Sequence, residues 1–212
     1  MDGEDAARIC ESWYPVADEL LCEAAELRAG ERVLDFATGT GTTAMAAARR
    51  LCRTIGIDRV PQSVGRARER ARIEGLAIQF QVAELTPLPF RDGSFDAVLS
   101  TFREVFQPDD ETAASEMARV CRTGGRIGLT NWTSSGRIGQ CVRTLPTYPG
   151  KRLGEEEQIH RLFGPHAGSI RIARRWLRLR HELPEKWADY YSSLLSGCEL
   201  PAEYLEVVIV RA

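Results

Sequence analysis

A turn rich in glycine carries the clearest chemical signal in this 212-residue chain. The apolar run Val33–Phe36 contains one acid, Asp35, and leads to Gly39-Thr40-Gly41, after which Thr42–Arg50 favours a helix. A glycine turn between a strand and a helix lets a ligand approach bare backbone, because glycine has no side chain to block it. The turn therefore predicts a ligand with a nucleoside part.

Two classes of ligand fit this turn. Gly39 to Ala44 matches the Gly-x-Gly-x-x-Ala fingerprint of dinucleotides, and Asp58 follows at about the distance of a ribose-binding acid. The alternative is S-adenosylmethionine, which also carries a ribose. Asp35 favours this second ligand, because an acid at a strand end repels a pyrophosphate and attracts a sulfonium and an ammonium. The two extra residues before the glycines, Ala37 and Thr38, favour it as well.

The elements that must position these residues alternate along the chain. The predicted strands are Arg32–Phe36, Thr54–Ile57, Ala77–Val82, Phe95–Thr101 and Arg126–Trp132, with helices between them. Alternation of this kind predicts an α/β fold with a mainly parallel sheet and helices on both faces. Two later runs, Ile170–Arg180 and Leu205–Val210, predict an antiparallel pair of strands.

The segment before the first strand predicts two short helices. Within residues 4–29, apolar residues recur at helical spacing, and Pro15 interrupts them. These residues are Trp13, Val16, Leu20, Leu21, Ala24 and Leu27. We treat the chain as a single domain with a helical cap (1–30), a cofactor-binding core (31–134) and an acceptor-side segment with the last strands (135–212).

Composition restricts the class of protein. The chain is 43% hydrophobic with a formal net charge of −2, so bulk charge predicts no nucleic-acid partner. The acidic start, Met1–Asp5, is unlike a secretory signal, and no apolar run reaches the length of a membrane span. We therefore expect a soluble, cytoplasmic protein without a membrane partner. The six cysteines and three histidines lack the spacing of metal ligands, which predicts free thiols and no metal site.

The order of the motifs resembles that of the class I S-adenosylmethionine-dependent methyltransferases, specifically the small-molecule group with a ubiquinone/menaquinone-methyltransferase-like core. The resemblance is close from Leu27 to about Thr133 and rests on Val33–Gly41, Asp58, Ala83-Glu84-Leu85 before Pro89-Phe90, Asp92–Val98 and Glu116–Arg126. It implies a Rossmann-like fold with a seven-stranded sheet and an antiparallel pair of strands at its end. It also implies S-adenosylmethionine as the methyl donor.

The resemblance assigns roles to particular residues. Asp58 would take the ribose hydroxyls, and Glu84 and Leu85 would contact the adenine. The implied cofactor-binding set is Asp35, Ala37, Thr38, Gly39, Gly41, Asp58, Arg59, Glu84, Leu85, Thr101 and Phe102. Ala37 stands where many members have glycine, and we expect cofactor binding to survive this if its backbone φ is negative.

Residues beyond the fourth strand depart from the family pattern. Arg103 and Glu104 stand where relatives tend to have small apolar residues, so they are candidates for contact with the substrate or with each other. The sequence gives no clear general base. Glu104 and His160 are weak candidates, and we favour an exposed helical position for His160.

The predicted function is methylation of a small organic molecule. The segment between Leu183 and Pro201 is short for a cover over the acceptor, which leaves room for a second copy to complete the site as a homodimer. One alternative is a methyltransferase-like protein that binds S-adenosylmethionine without methyl transfer, as a cyclase or an accessory or regulatory subunit. The other is a nicotinamide-dependent oxidoreductase.

Overall fold

The computed structural model describes residues 14–102, 110–136, 139–140, 154–179 and 200–212. The strands are β1 (Arg32–Phe36), β2 (Arg53–Asp58), β3 (Gln79–Val82), β4 (Phe95–Thr101), β5 (Cys121–Trp132), β6 (Ala167–Leu179) and β7 (Leu200–Arg211). The helices are α1 (Tyr14–Ala24), α2 (Thr42–Arg49), α3 (Pro61–Ile73), α4 (Asp110–Val120) and α5 (Glu156–Phe163).

All seven strands form one sheet in the order β3-β2-β1-β4-β5-β7-β6. The pairs among β1 to β5 are parallel, whereas β7 runs antiparallel to both β5 and β6. The predicted fold class and the antiparallel pair at the end of the sheet are therefore confirmed. β1 and β4 have the predicted bounds, and β2 and β3 differ from theirs by one or two residues. β5 begins at Cys121, earlier than expected, with an irregular register opposite β4.

Helices cover both faces of the sheet, and alternate strand residues face them. On one face Val33 of β1 and Leu99 of β4 pack with α1 and α2, and α3 packs on α2 and β3. On the other face Leu34 and Val98 pack with α4 and α5 in the largest core cluster. The switch of burial between adjacent residues follows the two-residue period of a strand.

The N-terminal helix corrects part of one expectation. Val16 and Leu20 of the predicted apolar stripe are 59% and 36% exposed, whereas Leu21 of the same stripe is buried, together with Ala17. Pro15 lies in the first turn of α1, where a proline has no intrahelical partner to lose. The first of the two predicted short helices would precede Pro15, in residues outside the described ranges. No helix in the described ranges is long and apolar enough to cross a membrane.

The order of the strands places a crevice at the end of β1. Its neighbour on one side is β2, the next strand along the chain, and on the other side it is β4. The connections leave β1 and β4 in opposite directions, and open α/β sheets bind ligands outside the carboxyl ends of the strands at such a point. The glycine turn after β1 and Thr101 at the end of β4 both lie at this edge.

Candidate functional site

The turn after β1 is locked to the end of β2 by backbone amides. The Thr38 N–H donates to the carbonyl of Ile57 at 2.7 Å, and the Gly39 N–H donates to Asp58 Oδ2 at 2.9 Å. Asp58 Oδ1 accepts from the Val60 N–H at 2.9 Å, and the side chain is fully buried. The structure thus brings together the predicted loop residues and the predicted ribose-binding acid.

Asp35 is turned toward the turn and the start of α2. Its Oδ2 accepts from the Thr38 hydroxyl and, at 3.0 Å, from the Ala44 N–H, and the residue is 1% exposed. These bonds hold the backbone of the turn against the first turn of α2. Asp35 therefore shapes the turn through hydrogen bonds. Its negative charge lies beside the N-terminal end of α2.

The two glycines of the turn have different roles. Gly41 has a φ of 84°, and a Cβ there would lie 2.9 Å from Phe80 Cζ and 3.0 Å from Ala67 Cβ, closer than packed atoms allow. Gly39 has a φ of 53°, but a Cβ there would meet nothing within 4 Å. Gly41 therefore permits α2 to pack against α3 and β3, while the space beside Gly39 is open to a ligand.

Ala37 does not meet the condition set for it from the sequence. Its φ is 62°, in the left-handed region, and the residue is 6% exposed. A Cβ in this region lies too close to the following carbonyl oxygen, so the alanine is strained at this position. Its neighbour Thr38 helps to hold this conformation through its bonds to Asp35 and Ile57.

The predicted adenine-binding residues follow β3 at the same edge of the sheet. The Ala83 N–H donates to the Asp58 carbonyl at 3.1 Å, which fixes the start of this segment beside β2. Glu84 is exposed, and Leu85 is partly buried against the main core. Arg59, directly after β2, is also exposed.

At the end of β4, Thr101 and Phe102 face different surroundings. Phe102 has a φ of 45°, and its N–H donates to the Thr130 carbonyl at 2.9 Å. Its ring stacks on Trp132 with centroids 4.0 Å apart and is buried there. Thr101 is partly exposed. The candidates Arg103 and Glu104 lie outside the described residues.

His160 is not brought to this edge by any described contact. It is an exposed residue of α5, as the sequence favoured. The buried residues of α5, which include Ile159 and Phe163, pack with α4 on the sheet face opposite α1.

Sequence reasoning missed a buried acid, Asp18 of α1. It is fully buried, and its Oδ1 accepts from the Thr43 hydroxyl at 2.8 Å. The Thr43 hydroxyl is in turn hydrogen-bonded to the Thr101 hydroxyl. Burial raises the pKa of Asp18 to about 6, against the lowering effect of the Thr42, Thr43 and Thr101 hydroxyls. The signal available in the sequence was an acid between the apolar residues Ala17 and Leu21, which the structure shows to be buried.

The sheet order and the glycine turn define an α/β protein of the methyltransferase type, and comparisons with known proteins agree. A family model described as a methyltransferase domain matches residues 33–125. An uncharacterized protein of Mycobacterium tuberculosis is 35% identical over 199 residues, covering 89% of this chain and 73% of the relative. A demethylmenaquinone methyltransferase of Thermus thermophilus is 36% identical over 128 residues, covering 54% of this chain and 58% of that protein. The chain belongs to the class I S-adenosylmethionine-dependent methyltransferase family.

A solved structure supports the fold. The YcgJ protein from Bacillus subtilis has a TM-score of 0.74 to this chain, over 92% of this chain and 98% of its own, at 20% identity.

The residues present fit the cationic donor of this family. Asp18, Asp35 and Asp58 are each no more than 1% exposed, and all three contact the turn after β1 or the first turn of α2. Buried carboxylates at this edge favour a sulfonium and an ammonium over a pyrophosphate. The open space beside Gly39 leaves room for a ligand against the backbone.

Proposed function

We propose that this protein binds S-adenosylmethionine and transfers its methyl group to a small organic molecule. The observation that carries the proposal is the set of three buried carboxylates around an open glycine turn, at the switch point of the sheet. When bound, S-adenosylmethionine supplies an activated methyl carbon. The protein then has to align the two reactants and exclude water.

The proposed roles follow the position of each residue. Asp58, held by the amides of Gly39 and Val60, binds the ribose hydroxyls. The backbone from Ala37 to Gly41, supported by Asp35, binds the amino-acid end of the donor, and the segment at Glu84 and Leu85 binds the adenine. Thr101 faces the acceptor side.

Substitution of the proposed ribose-binding acid, Asp58, tests this placement directly. Asp58→Ala removes the acceptor of two hydroxyl hydrogen bonds and the acceptor of the Gly39 N–H. We expect it to weaken S-adenosylmethionine binding by at least about tenfold, because hydrogen bonds to a charged group contribute about 1.5–3 kcal/mol. Isothermal titration calorimetry with S-adenosylmethionine, S-adenosylhomocysteine and NADH measures this.

The matched control is Asp92→Ala. Asp92 precedes β4 at the opposite edge of the sheet, and its side chain is 81% exposed. Its removal should leave donor affinity unchanged. Equal affinities of Asp58→Ala and the wild type would contradict the assigned site, and binding of NADH alone would contradict the choice of ligand.

Methyl transfer itself needs a separate measurement. Incubation with S-adenosylmethionine and a panel of phenols, alcohols, amines and thiols should produce S-adenosylhomocysteine, which mass spectrometry detects. Tight donor binding without product from any acceptor would instead favour a binding protein that does not transfer the methyl group.

A further inference from the structure

A chain of hydroxyl groups leads from a buried carboxylate to the carboxyl end of β4. Asp18 is fully buried, Thr43 is 2% exposed, and Thr101 at the other end is partly exposed. The links are the Thr43–Asp18 bond of 2.8 Å and the Thr43–Thr101 bond. The chain of hydrogen bonds therefore connects a fully buried carboxylate with a partly exposed residue at the carboxyl end of β4.

Proton counting gives this chain a direction. A threonine hydroxyl has one proton, and that of Thr43 is donated to Asp18 Oδ1 when the carboxyl is ionised. In the contact between the two threonines, the donor must then be Thr101. The oxygen of Thr101 is left with lone pairs directed away from Thr43. Ionised Asp18 thus makes Thr101 an acceptor toward whatever lies beside the end of β4.

Asp18 has unused hydrogen-bonding capacity. Within the part of the chain that the structure describes, its Oδ2 has no hydrogen-bond partner although it is buried. A buried carboxylate oxygen without a partner is costly, so it calls for an explanation, and a catalytic role is one such explanation.

We propose that Asp18, acting through Thr43 and Thr101, accepts the proton that a hydroxyl group of the methyl acceptor gives up during methyl transfer. The inference rests on the proposed function and adds a class of substrate, a neutral phenol or alcohol. A neutral hydroxyl is a weak nucleophile and gains most from a positioned base.

The step balances without a further reactant. The acceptor oxygen bonds to the methyl carbon as the carbon–sulfur bond breaks, and the sulfur keeps that electron pair and becomes neutral. The acceptor proton passes to Thr101, the proton of Thr101 passes to Thr43, and that of Thr43 passes to Asp18. Asp18 ends as a neutral carboxyl, whose proton returns to water before the next turnover.

Several titratable groups surround Asp18. On its own helix, the charge of Glu19 raises its pKa further, and Asp18 in turn raises that of Cys22. From β7, Tyr204 faces it, and Asp18 contributes to the raised pKa of that phenol, about 12. Glu206 raises the pKa of Tyr204 and Arg175 lowers it. Asp35 of β1 raises the pKa of Cys22, and Arg50 after α2 lowers it. None of these groups bonds to the Thr43 hydroxyl in the described structure.

The position of Asp18 can be tested by binding alone. Sinefungin carries an amine in place of the S-methyl group of S-adenosylmethionine, so its affinity relative to S-adenosylhomocysteine reports charge near the reacting methyl. In the wild type we expect this ratio to rise about tenfold between pH 5 and 7.5 as Asp18 ionises, with a midpoint near 6. Asp18→Asn should abolish the rise. Glu19→Gln, which removes the neighbouring carboxylate, should retain it.

Turnover tests the proton path. At saturating S-adenosylmethionine, and with any phenol or alcohol that yields S-adenosylhomocysteine, Asp18→Asn and Thr101→Val should each lower kcat about 100-fold. Thr101→Val keeps the carboxylate, so its sinefungin ratio should still rise with pH. Circular dichroism and thermal unfolding confirm that each variant is folded.

The outcomes separate the two proposals. A sinefungin ratio that is flat with pH in the wild type, or that rises equally in Asp18→Asn, overturns the role of Asp18. Turnover confined to amines or thiols overturns the class of substrate. Absence of binding by S-adenosylmethionine, S-adenosylhomocysteine and sinefungin alike overturns the proposed function itself.

Discussion

At the scale of single residues, Ala37 shows how the turn after β1 carries strain. Its φ of 62° lies in the left-handed region, where the conformational energy of an L-residue is about 1–2 kcal/mol higher than in the right-handed region. The bonds of Thr38 to Asp35 and to Ile57 hold the next residue and keep the backbone in this conformation. The strain is thus maintained at the point where the ligand would approach.

Replacement of Ala37 by glycine should relieve this strain. We expect Ala37→Gly to raise the free energy of unfolding by up to about 1 kcal/mol, since the gain is partly offset by the greater entropy of glycine in the unfolded chain. Urea denaturation measures the change. Ala48→Gly is the matched control, because Ala48 lies in α2, and the same substitution there should destabilise by about 0.5–1 kcal/mol. Destabilisation by both variants would contradict strain at Ala37.

The sequence predicted which residues meet at the turn after β1 better than it predicted the buried acid. Asp35, Gly39 and Asp58 stand at fixed distances from strand ends, so the fold alone brings them together. Asp18 approaches Thr43 and Thr101 only because α1 packs on α2 with a particular face, and that face could not be chosen from the sequence. The apolar stripe predicted for α1 included Val16 and Leu20, which the structure exposes, as well as Leu21, which it buries.

At the scale of elements, the packing of α2 depends on one glycine. Phe80 of β3 fills the space between α2 and α3, in a cluster with Ala44 and Ala67. Its ring lies where a side chain at Gly41 would have to go. Gly41 therefore sets how closely the helix that follows the turn can approach the rest of the sheet.

Gly41→Ala should be strongly destabilising. The added methyl would lie 2.9 Å from the Phe80 ring at a backbone φ of 84°, so we expect a loss of about 2–3 kcal/mol from overpacking and strain together. The loss should be smaller in a Phe80→Leu background, where the ring is gone, and a double-mutant cycle by urea denaturation measures that coupling. Additive effects of the two changes would contradict the close contact.

The elements whose bounds the sequence predicted well have a regular pattern of apolar residues and a clear residue signal at an end. β1, β2 and β4 are apolar runs between turns, and α3 begins at Pro61, so their bounds could be predicted closely. The start of β5 could not, because the irregular pairing before Gly125 depends on its contact with β4. A single sequence carries no local signal for such a contact between strands.

At the scale of the whole molecule, negative charge is concentrated in one part of a nearly neutral chain. The formal net charge is −2, yet three buried carboxylates lie around the turn after β1. Many surface acids pair with arginines, as Glu111 does with Arg161. Asp18 has hydroxyl partners only among the described hydrogen bonds, so its ionisation is not balanced by a paired cation.

This imbalance predicts how global stability depends on pH. The pKa of Asp18 is raised from 3.8 to about 6 by burial, so the folded state prefers the protonated carboxyl. The contribution to stability is therefore complete below pH 3.8 and is lost as the pH rises through about 6. At about 1.4 kcal/mol for each pKa unit, the wild type should lose about 3 kcal/mol from this group by pH 7.5.

Asp18→Asn isolates this loss, because the amide stays neutral at every pH. The difference in unfolding free energy, variant minus wild type, should become more positive by about 2.4 kcal/mol between pH 4 and 7.5, whatever its value at pH 4. Urea denaturation at half-unit steps of pH measures this difference. The contributions of the other titrating groups cancel, because they are the same in the variant and the wild type. Glu19→Gln is the control and should follow the wild type from pH 5 upward. A difference that does not change with pH would show that Asp18 ionises freely in the folded protein, and it would remove the reason to place a proton there.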